Sequence, residues 1–232
     1  MNSPPTITTR ILVWDAPTRV FHWLLAASFA GAYLTSESER LRDIHLLLGY
    51  TVLGLIGFRL VWGLIGTRYA RFRSFAFGPR AVIAYLRSLL SPTPNHYIGH
   101  NPAGSWAIYL TLALGILASI TGYASELDIG GDLMKELHEG VAAGMLAVVV
   151  VHVVGVIVSS LLHRENLVRG MINGYKTGYA VQAIRRAWWP VAIVIIAFVV
   201  AFWGGVIPAP GVSATAKVTN VQHQAGRNVE HH

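Results

Sequence analysis

Residues 137–155 read LHEGVAAGMLAVVVVHVVG. Two histidines, His138 and His152, stand fourteen residues apart in a run otherwise made of apolar and small side chains and one acid. At 3.6 residues and 5.4 Å per turn they lie about 40° apart in azimuth and about 21 Å apart along one helix axis. Both therefore leave the same face of one helix, at two levels. A helix this apolar all round has no water-facing side and reads as a membrane span. Ionisable side chains in that setting are costly and usually functional.

The whole chain supports a membrane setting. Its 232 residues are 53% apolar and 12% charged, about half the charged fraction of an average soluble domain. There is no cysteine, which excludes disulfides, iron–sulfur ligation, thiolate-bound haem and covalent haem attachment through C-x-x-C-H. The net charge of +7 follows the sidedness of loops rather than one basic face, so nucleic acid is not an expected partner.

Five apolar stretches are legible: 20–34, 44–65, 105–124, 140–162 and 188–207. The first lacks the small-residue cleavage pattern of a signal peptide after it and is read as a retained span. Arg68, Arg71, Arg73, Arg80 and Arg87 lie between the second and third stretches without an acid. Arg164, Arg169, Lys176, Arg185 and Arg186 follow the fourth against Glu165 alone. Those segments are expected on the cytoplasmic side of the membrane. The loops holding Glu37, Glu39 and Asp43, and Glu126, Asp128, Asp132 and Glu136, then face the periplasm. The fold class that follows is all-α integral membrane, a four-helix bundle plus a fifth carboxy-terminal span. Residues 1–17 are read as a cytoplasmic tail, 18–176 as the four-helix domain, 188–207 as the extra span and 208–232 as a periplasmic tail. Residues 79–90 suit a short helix lying in the interface.

With this topology the histidines sort by depth. His22 lies about fourteen residues before the outer end of the first span, level with His152. His45 opens the second span at the outside, level with His138. Any one of them alone could be a neutral histidine bonded to a neighbouring carbonyl. Two matched pairs suggest two metal centres. Zinc would want four tetrahedral ligands, whereas each level offers two imidazoles and the inner level no carboxylate. Bis-imidazole ligation of two non-covalent b haems fits better. Ala26, Gly49, Ala142 and Gly155, one turn after each histidine, permit close approach of a flat group.

The segments V-F-H-W-L-L around His22, D-I-H-L-L-L-G-Y around His45, R-L-V-W-G-L-I-G from Arg59, G-H-N-P-A-G-S from Gly99, and L-H-E-G with V-H-V-V-G resemble the bacterial cytochrome b561 and hydrogenase-type cytochrome b family. The likeness covers roughly residues 10 to 176. It implies a dihaem four-helix core with ligands at His22, His45, His138 and His152, and electron exchange between a quinone and a redox partner. The acidic outer loops suit a basic periplasmic protein, such as a c-type cytochrome. Superoxide oxidation coupled to quinone reduction is a rival inside the family, as is a cofactor-free membrane anchor or transporter outside it. A homodimer or a place in a larger complex is open.

Arg59, about fourteen residues inward of His45, is the expected partner of a haem propionate, against the alternative of snorkelling. Arg19 reads as a positive-inside anchor. His96, His100 and His163 have no assignable partner, and His223, His231 and His232 read as tail residues. Trp62, Trp188, Trp189 and Trp203 read as interface anchors.

Overall fold

A computed structural model describes residues 8–212. The helices start where the sequence supplies a cap. The carboxylate of Asp15 accepts from the Thr18 amide at 2.8 Å, and Pro17 lies in the first turn of α1 (Ala16–Thr35). A short turn leads into α2 (Arg42–Ile65), and α3 (Pro79–Ser88) follows the arginine-rich loop. Asn101 caps α4 (Pro102–Glu126) by accepting from the Gly104 amide at 2.7 Å. Then come α5 (Gly131–Leu162), α6 (Leu167–Asn173) and, near the end, α7 (Trp189–Trp203).

The helix carrying His138 and His152 begins nine residues before Gly140, where its apolar stretch starts. The turn before it places Asp128, Gly130 and Gly131 at φ of 55°, 80° and 55°, a left-handed run for which two glycines are suited. Leu133, Met134 and Leu137 then continue the helix outward, so His138 lies two turns inside it and not at its mouth.

Within the stretch read as an amino-terminal tail, β1 (Thr9–Leu12) pairs antiparallel with β2 (Tyr175–Gly178), from Thr9 opposite Gly178 to Leu12 opposite Tyr175. Four residues are too few to show a period-two pattern against a Pro- and Thr-rich background. The pairing is fixed by tertiary burial of Ile11, Val13 and Trp14. Gly174 (φ 87°) makes the turn into β2, and a Cβ there would meet the Trp14 carbonyl at 2.7 Å.

Among the described residues three helices, α2, α4 and α5, are long and apolar enough to cross a membrane. α1 has 20 residues and α7 has 15. α1 packs on α2 and on α7, α2 on α4, and α4 on α5. The buried core, Phe21, Val52, Leu55, Ile56, Leu112, Ile195 and Val199, comes from α1, α2, α4 and α7. α5 gives it almost nothing: Val150, Val151, Val153, Val154 and Ile157 are all exposed, an apolar exterior suited to lipid. Trp203 Nε1 donates to Thr51 Oγ1 at 2.9 Å and fastens α7 to α2.

The loops gather as the charge pattern requires. Tyr69 Oη donates to the Gln182 carbonyl, Lys176 Nζ to that of Tyr97, and His163 faces the carbonyl of Asn95, so segments 66–101 and 163–188 share one end. Arg42 pairs with Glu126 at the other end. Trp62 is no interface anchor: it is buried, stacks on Phe58 and donates to Asp15 Oδ2 at 3.2 Å. Its indole N–H needed a buried acceptor, and the helix cap provides one. His223, His231, His232 and most of the expected outer tail lie outside the described residues.

Candidate functional site

His45 on α2 and His138 on α5 come together. Their ring centroids are 6.0 Å apart with the planes at 87°. Two imidazoles on opposite sides of one metal, each bonded at about 2 Å, have centroids about 6 Å apart. Each ring is also oriented in the way a ligand needs. His45 Nδ1–H donates to the Ala32 carbonyl at 2.9 Å, and His138 Nδ1–H to that of Ala118 at 2.9 Å. A carbonyl only accepts, so Nδ1 carries the proton and Nε2 keeps a free lone pair. Gly122 admits the His138 ring: a Cβ there would stand 2.9 Å from Cε1 and 3.0 Å from Nδ1.

His22 on α1 and His152 on α5 form the second level. They are near enough to feel each other's charge, and both are half-buried. His22 packs edge-on against Trp23, with centroids 5.0 Å apart. Its Nδ1 is buried without a hydrogen-bond partner. The four histidines thus lie in two groups, one at each level of α5, with their partners on α1 and α2.

Arg59 is 2% exposed. Its guanidinium lies over Phe72 at 4.8 Å, and Nη1 has no hydrogen-bond partner. It therefore does not snorkel. His100 joins this end of the bundle, which spacing alone did not indicate. Burial first, and then the charges of Arg59, Lys176, His152 and His22, push its imidazole down to about 3, so it is neutral. Its ring packs on Phe75 and Trp14, with centroids 4.4 and 4.6 Å away, and its Nδ1 is buried and unpaired. The only signal for it was membership of the Gly99–Ser105 segment.

Beside that loop, His96 and Lys176 hold Glu165 at 3.2 and 3.0 Å, and His163 Nδ1 lies 2.9 Å from the Ser159 carbonyl. They border a polar cavity of about 40 Å³. No group of three or more metal-binding side chains occurs among the described residues.

The donor set fits a haem. It offers two imidazoles per level, free Nε2 atoms at the outer level, and unpaired buried nitrogens at the inner one. A Cβ at Gly49, one turn from His45, or at Gly155, one turn from His152, would meet nothing within 4 Å. Apolar helices of membrane length that present paired imidazoles define a membrane protein equipped for a planar, metal-centred prosthetic group.

Residues 13–174 match the family described as prokaryotic cytochrome b561. The chain is 27% identical to a probable Ni/Fe-hydrogenase B-type cytochrome subunit of Azotobacter vinelandii, over 72% of this chain and 89% of that one. It is 25% identical to the subunit so named in Rhodobacter capsulatus, over 73% and 82%. The probable Ni/Fe-hydrogenase 1 B-type cytochrome subunit of Escherichia coli K12 shows 25% identity over 71% and 90%. No solved structure matches. The chain belongs to the prokaryotic cytochrome b561 family. It is an integral membrane b-type cytochrome that uses haem to transfer electrons.

Proposed function

We propose that the chain holds two b haems, an inner one between His22 and His152 and an outer one between His45 and His138. It passes electrons between the quinone pool and a periplasmic redox partner. The observation that carries this reading is the outer pair: rings 6.0 Å apart, each with Nδ1–H on a backbone carbonyl and Nε2 left to a metal. The inner reading draws on the proximity of His22 to His152 and on the helix face that His152 shares with His138. Held between two such imidazoles, a haem would supply one-electron transfer and would offer no open site for a substrate. The protein sets depth, ligand tautomer and potential.

Five spans, α1, α2, α4, α5 and α7, with the arginine-rich loops in the cytoplasm, form the topology of this reading, in the bacterial inner membrane. The relatives are named as subunits of Ni/Fe-hydrogenase, which favours an oxidoreductase as partner and a place in a larger membrane complex. The acidic outer loops also suit a basic c-type cytochrome.

The purified chain is expected to yield two haems b in a pyridine haemochrome assay, and reduced quinol should reduce them after reconstitution. A His152→Ala chain should keep one haem, at the outer level. No haem in the wild type, or loss of both haems from a folded His152→Ala chain, overturns the reading.

A further inference from the structure

Among the unpaired buried nitrogens at the inner end, besides that of His22, are Arg59 Nη1 on α2 and His100 Nδ1 on the loop before α4. They converge on one ring, since the Arg59 guanidinium carbon and the His100 centroid lie 5.8 and 4.4 Å from the centroid of Phe75. A buried donor left unsatisfied costs about 1–3 kcal/mol, more for a charged group, so such groups signal a partner from outside the chain. The chain's own nearby acids are engaged. Asp15 accepts from the Thr18 amide, Trp62 and Thr67, and Glu165 is held by Lys176 and His96. The partner required is therefore an anionic acceptor that meets a guanidinium and a neutral imidazole together. Trp14 and Phe75 both pack on the His100 ring, so it is positioned before any partner arrives.

We propose that Arg59 and His100 together hold one propionate carboxylate of the inner haem. This deepens the dihaem reading and rests on it. Arg59 balances the charge, and His100 Nδ1–H gives the second hydrogen bond and fixes the rotation of the propionate. His100 is thus a positioning residue. A carboxylate stripped of that bond keeps more negative charge near the iron, which favours the ferric state and lowers the inner potential.

The test is a redox titration of the full-length haem-loaded protein, with haem counted first. His100→Phe should keep two six-coordinate haems and lower the inner couple by about 59 mV, a tenfold shift in its oxidised-to-reduced ratio. His100→Gln, whose amide still donates, should recover most of that shift. Arg59→Gln should lower the same couple, and the double variant should move it by less than the two shifts combined, because both act on one carboxylate. Should His100→Phe fail to fold, the reduced-minus-oxidised infrared spectrum of His100→Gln with ¹³C-labelled propionates decides, a displaced carboxylate band supporting the assignment and an unmoved one overturning it. An inner couple indifferent to His100→Phe, additive shifts, or a wild-type inner couple displaced by millimolar acetate, which would mark a free-anion site, also overturns it. A wild type without haem would instead remove the reading beneath.

Discussion

Gly122→Ala tests the outer site without touching a ligand. The added methyl would stand 2.9 Å from His138 Cε1 and 3.0 Å from Nδ1. Carbon contacts relax near 3.5–4.0 Å, so the ring must retreat by roughly half an ångström. It cannot do so freely, because its Nδ1–H is held by the Ala118 carbonyl at 2.9 Å, and the same displacement stretches that bond beyond the usual 2.7–3.2 Å range. Overpacking of this kind costs about 1–3 kcal/mol. Loss of a group that orients a metal-bound histidine weakens metal binding about 10- to 100-fold. Haem content at limiting haem and the midpoint potential of the outer couple read this directly, with the inner couple as internal reference. Gly115→Ala is the control on the same helix: its methyl would press on Ile56 Cδ1 at 2.5 Å, a flexible side-chain end and not a histidine ring. It should lower stability and leave both couples unmoved. A Gly122→Ala chain with normal outer haem content and potential refutes the reasoning, and so does a Gly115→Ala chain that disturbs the outer haem equally.

Asp15→Ala removes the α1 cap and the acceptor of both Trp62 and Thr67; denaturant unfolding in detergent should show a loss of about 2–4 kcal/mol, with Asp15→Asn losing less. Thr51→Val strands the indole N–H of Trp203 at a cost of about 1–3 kcal/mol. Limited proteolysis of the α6–α7 connection should accelerate while the haem spectra stay unchanged.

The long apolar helices were legible because their signal, some twenty apolar residues between charges, is local. The two levels of histidines were legible because helical spacing on α5 is local too. What reads poorly is whatever depends on a distant partner. β1 needs β2, more than 160 positions later, to be a strand at all. Trp62 looked like an interface tryptophan because nothing near it in sequence shows that Asp15 would sit beneath it. The orienting carbonyls of Ala32 and Ala118 leave no sequence signal, since every residue has a carbonyl. His100 was visible only as one member of a loop segment, because its surroundings come from α2, β2 and the residues before α1. The start of α5 was misplaced for a different reason: the Gly130–Gly131 turn and a polar first turn resemble a loop until the helix beyond them is seen.

The two levels differ in how much of each site the chain supplies. At the outer level both rings are already fixed by carbonyls at ring-to-ring metal distance. Forming that site costs little further ordering, and donation from Nδ1 makes each imidazole a stronger ligand. At the inner level His22 has no such acceptor, and the polar groups around it, Arg59 and His100, end in unpaired nitrogens. That site is completed by whatever it binds. α5 packs chiefly on α4, so on the dihaem reading its histidine-bearing face is left for the prosthetic groups to cover. On the dihaem reading one rigid helix thus fixes the depth of both centres, through histidines about 21 Å apart along its axis in a hydrocarbon layer of about 30 Å. The segments opposite it differ from level to level, α2 and a helix-end carbonyl outside, α1 with a buried arginine and a loop histidine inside. On that reading, the bundle can tune its two centres separately without moving either.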